Sequence, residues 1–317
     1  MTNSTPTDVR EFCAAIADVC DQTALLFLQD GGHFSVGDNP DSPWRTDRGY
    51  WFDELSSDRP AVWISEITST YVSESAYQLK ALGELLRAGQ VTGTLDLLVR
   101  AVLERAGRVI WVLDTSVGLG TKVRAARAGL EVGVSFQHYR EALHDLGIAP
   151  EDRLEIKSRD AEVRDLLLNK LATNRPPNDP DDEKSKPTKD MTRWTVEGES
   201  YPTFAAIAQL AGTRCGLTAE QARGTYAGLC GYAHPSVVFA RENRSLGPLG
   251  LPQFEYRASD IEKVSRMGVL TFLEATRHCA SYYESGLDVL DALIAPIHQR
   301  VDELGTLAPE ILPQAAT

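Results

Sequence analysis

The side chains best suited to chemistry lie at the end of one apolar stretch, Tyr226-Ala-Gly-Leu-Cys-Gly-Tyr-Ala-His-Pro-Ser236. Tyr226 and Leu229 follow helical spacing, and Pro235 disfavours helical geometry at His234, so a helix is predicted to end there. A helix C-terminus favours a cation, and an imidazole held there can serve as an acid or a base. The simpler interpretation is a histidine that caps the last carbonyls or hydrogen-bonds inside a bundle.

Two charged residues are predicted to act with this histidine. Arg100 and Glu104 lie four residues apart in residues 94–114, the most apolar segment of the chain. Charges on so apolar a helix are expected to be paired and in part buried. In an enzyme, Tyr226 and His234 would converge with them, His234 acting as acid or base and an arginine holding an anion.

A second spacing is typical of metal sites. His138, Glu141 and His144 stand three residues apart within residues 122–146, and Glu-x-x-His is the pattern of ferritin-like di-iron bundles. Such a site needs carboxylates from two further helices, and the chain offers no second Glu-x-x-His. We therefore predict no metal and no other cofactor, and keep this triplet only as a weak alternative.

Composition limits the classes of function. The chain has 317 residues, of which 43% are hydrophobic and 24% charged, as in ordinary globular proteins with a substantial core. Its net charge of −13 argues against extensive nucleic-acid binding. The five cysteines include no C-x-x-C pair and give no zinc spacing. Without a secretory signal or a long apolar run, we predict a cytoplasmic protein that does not associate with membranes.

Helical periodicity dominates the chain and predicts an all-α, multi-helix bundle. Residues 94–114 should be its central buried helix, because they are almost continuously apolar. Capping boxes at Thr218 with Gln221 and at Ser259 with Glu262 predict two later helix starts. Residues 261–304 are predicted to form one long helix or two, bent near Pro296, and residues 194–201 a short strand or hairpin.

The remaining stretches are predicted to be irregular. Residues 31–60 are expected to form a long aromatic loop that packs on the body or acts as a lid, and residues 237–256 a second loop. Residues 174–190, rich in proline and acidic residues, are expected to be a mobile linker. The chain thus divides into an N-terminal helical part (1–173), the linker, a C-terminal helical part (191–305) on the same bundle, and a tail (306–317).

Three of these segments together resemble a known group. Residues 100–114, the helix of residues 122–147, and Tyr226-x-x-Leu-x-x-x-x-His234-Pro-Ser236 resemble uncharacterised helical proteins common in actinobacteria. The pattern is also similar to helical proteins of the HEPN kind, many of which act in toxin and phage-defence systems, some as metal-independent ribonucleases. It covers roughly half of the chain. HEPN ribonucleases carry Arg, four to six residues and then His, whereas Arg223 lies too far from His234. The resemblance therefore implies the fold without the nuclease motif.

These observations favour a non-catalytic or regulatory module of a defence or stress system, acting as a homodimer or through a protein partner. The alternative from another class is an RNA- or nucleotide-directed enzyme with Arg100, Glu104, Tyr226 and His234 as its site. A ferritin-like, metal-dependent oxidase is the second alternative. No pattern in the chain indicates a particular substrate.

Overall fold

The computed structural model describes residues 8–28, 42–91, 93–114, 120–180, 185–233, 244–246, 252–254, 257–284 and 286–308. Most of these residues are helical, which confirms the all-α prediction. The helices are α1 Val9–Leu28, α2 Pro43–Leu55, α3 Arg59–Arg87, α4 Thr94–Leu113, α5 Thr121–Asp145, α6 Leu154–Lys170, α7 Phe204–Arg214, α8 Ala219–Ala233, α9 Ala258–Tyr283 and α10 Leu287–Leu307. Glu151–Arg153 and Met191–Arg193 form short 3₁₀ turns.

The strands are short and lie at the periphery of the helical body. β1 Thr173–Asn174, β2 Thr195–Val196 and β3 Glu199–Ser200 form an antiparallel sheet in the order β1-β2-β3. β2 and β3 form the hairpin predicted in residues 194–201, with a tight turn at Glu197 and Gly198, where φ is 50° and 82°. A second hairpin pairs β4 Arg244–Leu246 with β5 Pro252–Phe254 inside the predicted loop of residues 237–256.

Helix α4 is the central element of the fold, as predicted. It packs against α3, α5, α7, α8 and α9, while α1 covers α3, α9 and α10. The α4 side chains of Val99, Val102, Leu103, Val109 and Ile110 are at most 1% exposed. Burial of side chains this large contributes about 1.5–3 kcal/mol each, so contacts of α4 are a main source of stability.

A glycine on α4 sets the position of α7. A Cβ at Gly107 would lie 2.6 Å from Ile207 Cγ2 and 3.2 Å from the Ile207 carbonyl oxygen. Without a side chain at position 107, α7 can approach the backbone of α4 this closely. The close crossing fixes where Phe204, the first residue of α7, meets the surface of α4.

The prediction of a loop through residues 31–60 is wrong for its second half, because residues 43–55 form α2. Ser42 caps this helix by accepting a hydrogen bond from Arg45 N (3.3 Å), and Pro43 suits the first turn. Trp51 is fully buried and donates from Nε1 to the Thr121 carbonyl (3.1 Å). Residues 31–41, and with them the expected lid, lie outside the described residues.

Two boundaries in the C-terminal half also differ from the predictions. Of the one or two helices predicted for residues 261–304, the structure has two: α9 ends at Tyr283 and α10 begins at Leu287, with Glu284 (φ 50°) and Gly286 (φ 63°) in left-handed conformations. Pro296, where the bend was predicted, lies within α10. The capping box of Ser259 with Glu262 is absent from α9, whose N-cap is Arg257 with no side-chain hydrogen bond. Glu262 pairs instead with Arg266, four residues later, which removes it from the helix start.

The described ends of the predicted linker pair with each other. Asn178 N donates to the Lys186 carbonyl and Thr188 N to the Pro176 carbonyl, each at 2.9 Å. Thr188 is buried, and its carbonyl accepts from Trp194 Nε1 (3.2 Å). Residues 181–184 lie outside the described part, and the mobility of the segment stays a prediction. Across the described helices, none is both long and apolar enough to cross a bilayer.

Asp96, in the first turn of α4, gives a pH-dependent prediction. It is 5% exposed, and burial, with a contribution from the charge of Asp260, raises its pKa from 3.8 to about 6. Because the folded-state pKa lies above the unfolded value, the folded protein holds this proton more tightly. The stability contributed by protonated Asp96 is complete below about pH 4 and is lost as the pH rises through about 6.

We therefore expect Asp96→Asn to raise the free energy of unfolding by about 2 kcal/mol at pH 7.5 and to change it little at pH 4. Urea unfolding at both pH values measures this difference. Asp288→Asn is the matched control, because Asp288 lies in the first turn of α10 but is exposed, and it should give no gain. Equal effects of Asp96→Asn at the two pH values would contradict the prediction.

Candidate functional site

A cavity of about 620 Å³ lies among α3, α4, α5 and the segment that leads into α7. Its size falls within the range of small-molecule sites in proteins. The lining residues are Tyr71 and Glu74 of α3; Glu104, Arg105 and Arg108 of α4; Glu131, Ser135 and His138 of α5; and Thr192, Tyr201, Pro202, Thr203 and Phe204. The site is therefore built by four separate parts of the chain.

A buried ion pair, Arg108 and Glu131, forms what we call the cavity floor. Each residue is 3% exposed, and Arg108 Nη1 lies 3.5 Å from Glu131 Oε2. The other atoms of the pair are hydrogen-bonded: Arg108 Nη2 donates to the Pro202 carbonyl (3.1 Å), and Tyr71 Oη donates to Glu131 Oε1 (2.6 Å). Charges taken out of water need such additional partners, because Coulomb attraction alone rarely offsets the desolvation cost.

Aromatic rings surround the guanidinium of Arg108. Its Cζ atom lies 4.1 Å from the ring centroid of Tyr201, 5.4 Å from that of Phe204 and 5.9 Å from that of Trp111. These distances are within the range of cation–π attraction, which strengthens when the cation is desolvated. The segment between β3 and α7 thus supplies the aromatic wall that covers the ion pair.

The two tyrosines beside Glu131 are held in their protonated form. Burial, together with the charge of Glu131 and a hydrogen bond to it, raises the pKa of Tyr71 and the pKa of Tyr201 well above the ordinary value. At neutral pH both phenols therefore remain hydrogen-bond donors. Neither is suited to act as a nucleophile or as a base.

A second cluster brings together three of the four predicted site residues. Glu104 Oε1 accepts hydrogen bonds from Arg100 Nε and from Tyr226 Oη, both at 2.7 Å. The Arg100 guanidinium also lies 5.7 Å from the centroid of the Tyr226 ring. Burial and the bond to Glu104 raise the pKa of Tyr226. His234 lies outside the described residues, so its place relative to this cluster stays a prediction.

Glu104 connects the two clusters, because it also lines the cavity. Another pair on the cavity wall, Arg105 Nε with Glu74 Oε2 at 2.5 Å, joins α4 to α3. Each acidic residue that lines the cavity is thus paired with an arginine of α4.

The residues of the weak metal alternative are not gathered into a site. His138 lines the cavity, but it is exposed, as are Glu141 and His144 along the same helix. His144 Nδ1 lies 3.3 Å from Oδ1 of Asp145, the next residue in the chain. In the described ranges, no three His, Cys, Asp or Glu side chains come together as metal ligands would.

Sequence reasoning missed the floor of the cavity. Arg108 was not among the predicted site residues, and the structure pairs it with Glu131 of α5. One signal for Glu131 does exist in the sequence: it is a single carboxylate within Ala-, Gly- and Val-rich residues 125–134. A buried carboxylate needs a partner, and Arg127, four residues earlier, pairs with Glu199 instead.

Comparison with known proteins provides no relative from which a function could be transferred. No family model matches this chain, no curated protein matches its sequence, and no solved structure matches its fold. The resemblance to HEPN-like proteins therefore stays a prediction, and the case for function rests on the site itself.

The buried pair can be tested by a double-mutant cycle in urea unfolding. Arg108→Met should lower the free energy of unfolding by about 3 kcal/mol, because Glu131 loses its cation in a buried place. Adding Glu131→Gln should recover about 1 kcal/mol or more of that loss. Arg159→Met is the control, since its ion pair with Glu155 is largely exposed, and it should cost less than about 0.5 kcal/mol. Strictly additive losses at positions 108 and 131 would argue against the coupling.

Proposed function

We propose that this chain is a non-catalytic, regulatory helical module that binds a small neutral ligand in the cavity. The observation that carries the proposal is a cavity of about 620 Å³ whose floor is a buried, aromatic-covered ion pair. Cavities that combine an apolar wall with a few fixed polar groups are typical of small-molecule sites.

The balance of charge favours a neutral ligand. Glu74 is offset by Arg105, Glu131 by Arg108, and Glu104 by Arg100 directly behind the wall. No uncompensated cation remains among these lining groups to attract a phosphate or a carboxylate. The net charge of −13 adds a general repulsion of polyanions such as RNA.

The hydrogen-bond geometry favours binding over acid–base catalysis. A general base needs a free lone pair aimed at the proton that it takes. In the predicted site, Glu104 Oε1 already accepts from both Arg100 and Tyr226. Tyr226 donates to Glu104 and Tyr71 to Glu131, and both phenols stay protonated, so they position the acidic groups.

The biological setting of the proposal comes from the resemblance to HEPN-like helical proteins. It supports a module of a defence or stress system, in which occupancy of the cavity would regulate a protein partner or a second copy of the chain. A cytoplasmic location belongs to the same proposal, as expected from the sequence.

Occluding the cavity tests the binding function. With adenosine, inosine, uridine and nicotinamide as neutral probes, at least one should raise the melting temperature of the wild type. A ligand at a hundred times its Kd adds about 2.7 kcal/mol, which is a shift of roughly 4 °C for a chain of this size. Ser135→Trp, which puts an indole into the cavity, should abolish the shift.

Ala142→Trp is the matched control for that experiment. Position 142 is exposed on the same helix but does not line the cavity, so the probe should still stabilise this variant. Saturation-transfer NMR on the same proteins detects weaker binding directly. The proposal is overturned if no probe binds the wild type, or if Ser135→Trp binds as well as Ala142→Trp.

The enzymatic alternative has one supporting observation, the convergence of Arg100, Glu104 and Tyr226. A ribonuclease or nucleotide-directed enzyme would use His234 with this cluster. We expect the wild type and His234→Ala to show the same background rate in an RNA-degradation assay, and His234→Ala to melt at a lower temperature. Degradation by the wild type that is lost in a normally melting His234→Ala protein would instead establish the enzyme.

A further inference from the structure

The cavity floor points to the chemical class of the ligand. We propose that Arg108 and Glu131 recognise the edge of a flat, neutral heterocycle that carries a C=O and an N–H side by side. Such a lactam or imide edge occurs in hypoxanthine and in uracil. This inference rests on the proposed binding function and specifies what occupies the cavity.

Two atoms of the floor carry the inference. Arg108 Nη1 and Glu131 Oε2 are buried and have no hydrogen-bond partner among the described residues, although they lie 3.5 Å apart as an ion pair. Arg108 Nη2 donates to the Pro202 carbonyl, and Glu131 Oε1 accepts from Tyr71. A buried donor or acceptor without a partner is costly, so native proteins rarely leave both members of a pair in that condition.

A lactam edge supplies what these two atoms lack. Its carbonyl oxygen would accept from Arg108 Nη1, and its N–H would donate to Glu131 Oε2. Both bonds would be charge-assisted, which makes them stronger than bonds between neutral groups. Binding would add two hydrogen bonds to a pair whose own contact, at 3.5 Å, is longer than a hydrogen bond.

The pair offers one cationic donor, Arg108, and one anionic acceptor, Glu131. This combination favours an amide edge over an amidine edge such as that of adenine. A carboxylate binds most strongly to an N–H that an adjacent carbonyl has polarised. A guanidinium binds a carbonyl oxygen, which has two lone pairs, better than a ring nitrogen with one. The floor therefore distinguishes inosine from adenosine by hydrogen bonding, although the two nucleosides have nearly the same shape.

The aromatic wall fits a flat ligand at this edge. A ring that is hydrogen-bonded in the plane of the Arg108 guanidinium would continue the layer that lies over Tyr201 and Phe204. Phe204 lines the cavity and is 49% exposed in the free protein. A stacked heterocycle would cover this exposed face, and base–aromatic stacking of this kind is attractive.

Methylated nucleosides test the proposal on the wild-type protein. Inosine and uridine should bind at least tenfold more tightly in calorimetry than 1-methylinosine and 3-methyluridine, which keep the ring but lack the N–H. Inosine should also bind more tightly than adenosine. Equal binding of inosine and 1-methylinosine, or tighter binding of adenosine, overturns the lactam edge and leaves the binding function standing. If none of the neutral probes binds, both proposals fail.

A variant adds an independent measurement. Glu131→Gln should weaken inosine binding at least tenfold, because the anionic acceptor is lost, and should reduce the preference for inosine over 1-methylinosine. Glu141→Gln, an exposed change on the same helix, should alter neither. Unchanged discrimination in a folded Glu131→Gln protein would overturn the assignment of Glu131. If that variant fails to fold, the comparison of methylated and unmethylated probes on the wild type still decides the proposal.

Discussion

The buried ion pair of Arg108 and Glu131 is the interaction on which the candidate site depends. Removing two charges from water costs several kcal/mol per ion, so the surrounding structure has to supply partners for them. Tyr71 from α3, the Pro202 carbonyl and the rings of Tyr201 and Phe204 do this from three directions. The cavity walls thus supply the polar and aromatic contacts that replace water around the pair. The need for these partners explains why distant parts of the chain meet there.

Glycines near each charged residue let the segments that cover the pair pack closely against α4 and α5. Gly107 precedes Arg108 and permits the close contact of Ile207 on α7 with the α4 backbone. Gly133 follows Glu131 by two residues, and a Cβ there would collide with the side chain of Met191. Met191 N in turn donates to Gln137 Oε1 (3.0 Å), which fixes the segment before the β2–β3 hairpin on α5. A larger side chain at either glycine would move a covering segment away from the pair.

Whether a feature could be predicted depended on how far apart in sequence its interacting residues lie. The central helix α4, the capping box of Thr218 with Gln221 and the Arg100–Glu104 pair were predictable because each depends on residues close in sequence. The Arg108–Glu131 pair was not, because it depends on how α4 and α5 face each other. Helix α2 was missed because it shows little apolar periodicity of its own and is held by tertiary contacts of the buried Trp51 and Asp47. Asp47 there pairs with Arg124 of α5 (2.5 Å) and accepts a hydrogen bond from Tyr282 of α9 (3.0 Å).

The spacing of charges along α4 also explains why the cavity suits a binding module. Arg105 engages α3, and Arg108 engages both α5 and the Pro202 carbonyl, so α4 is attached to three walls of the cavity by polar contacts. A wall cannot move away without breaking one of these bonds, so the cavity is formed before a ligand arrives. A preformed site loses little conformational entropy on binding, and selectivity can then come from a few fixed polar atoms at its floor.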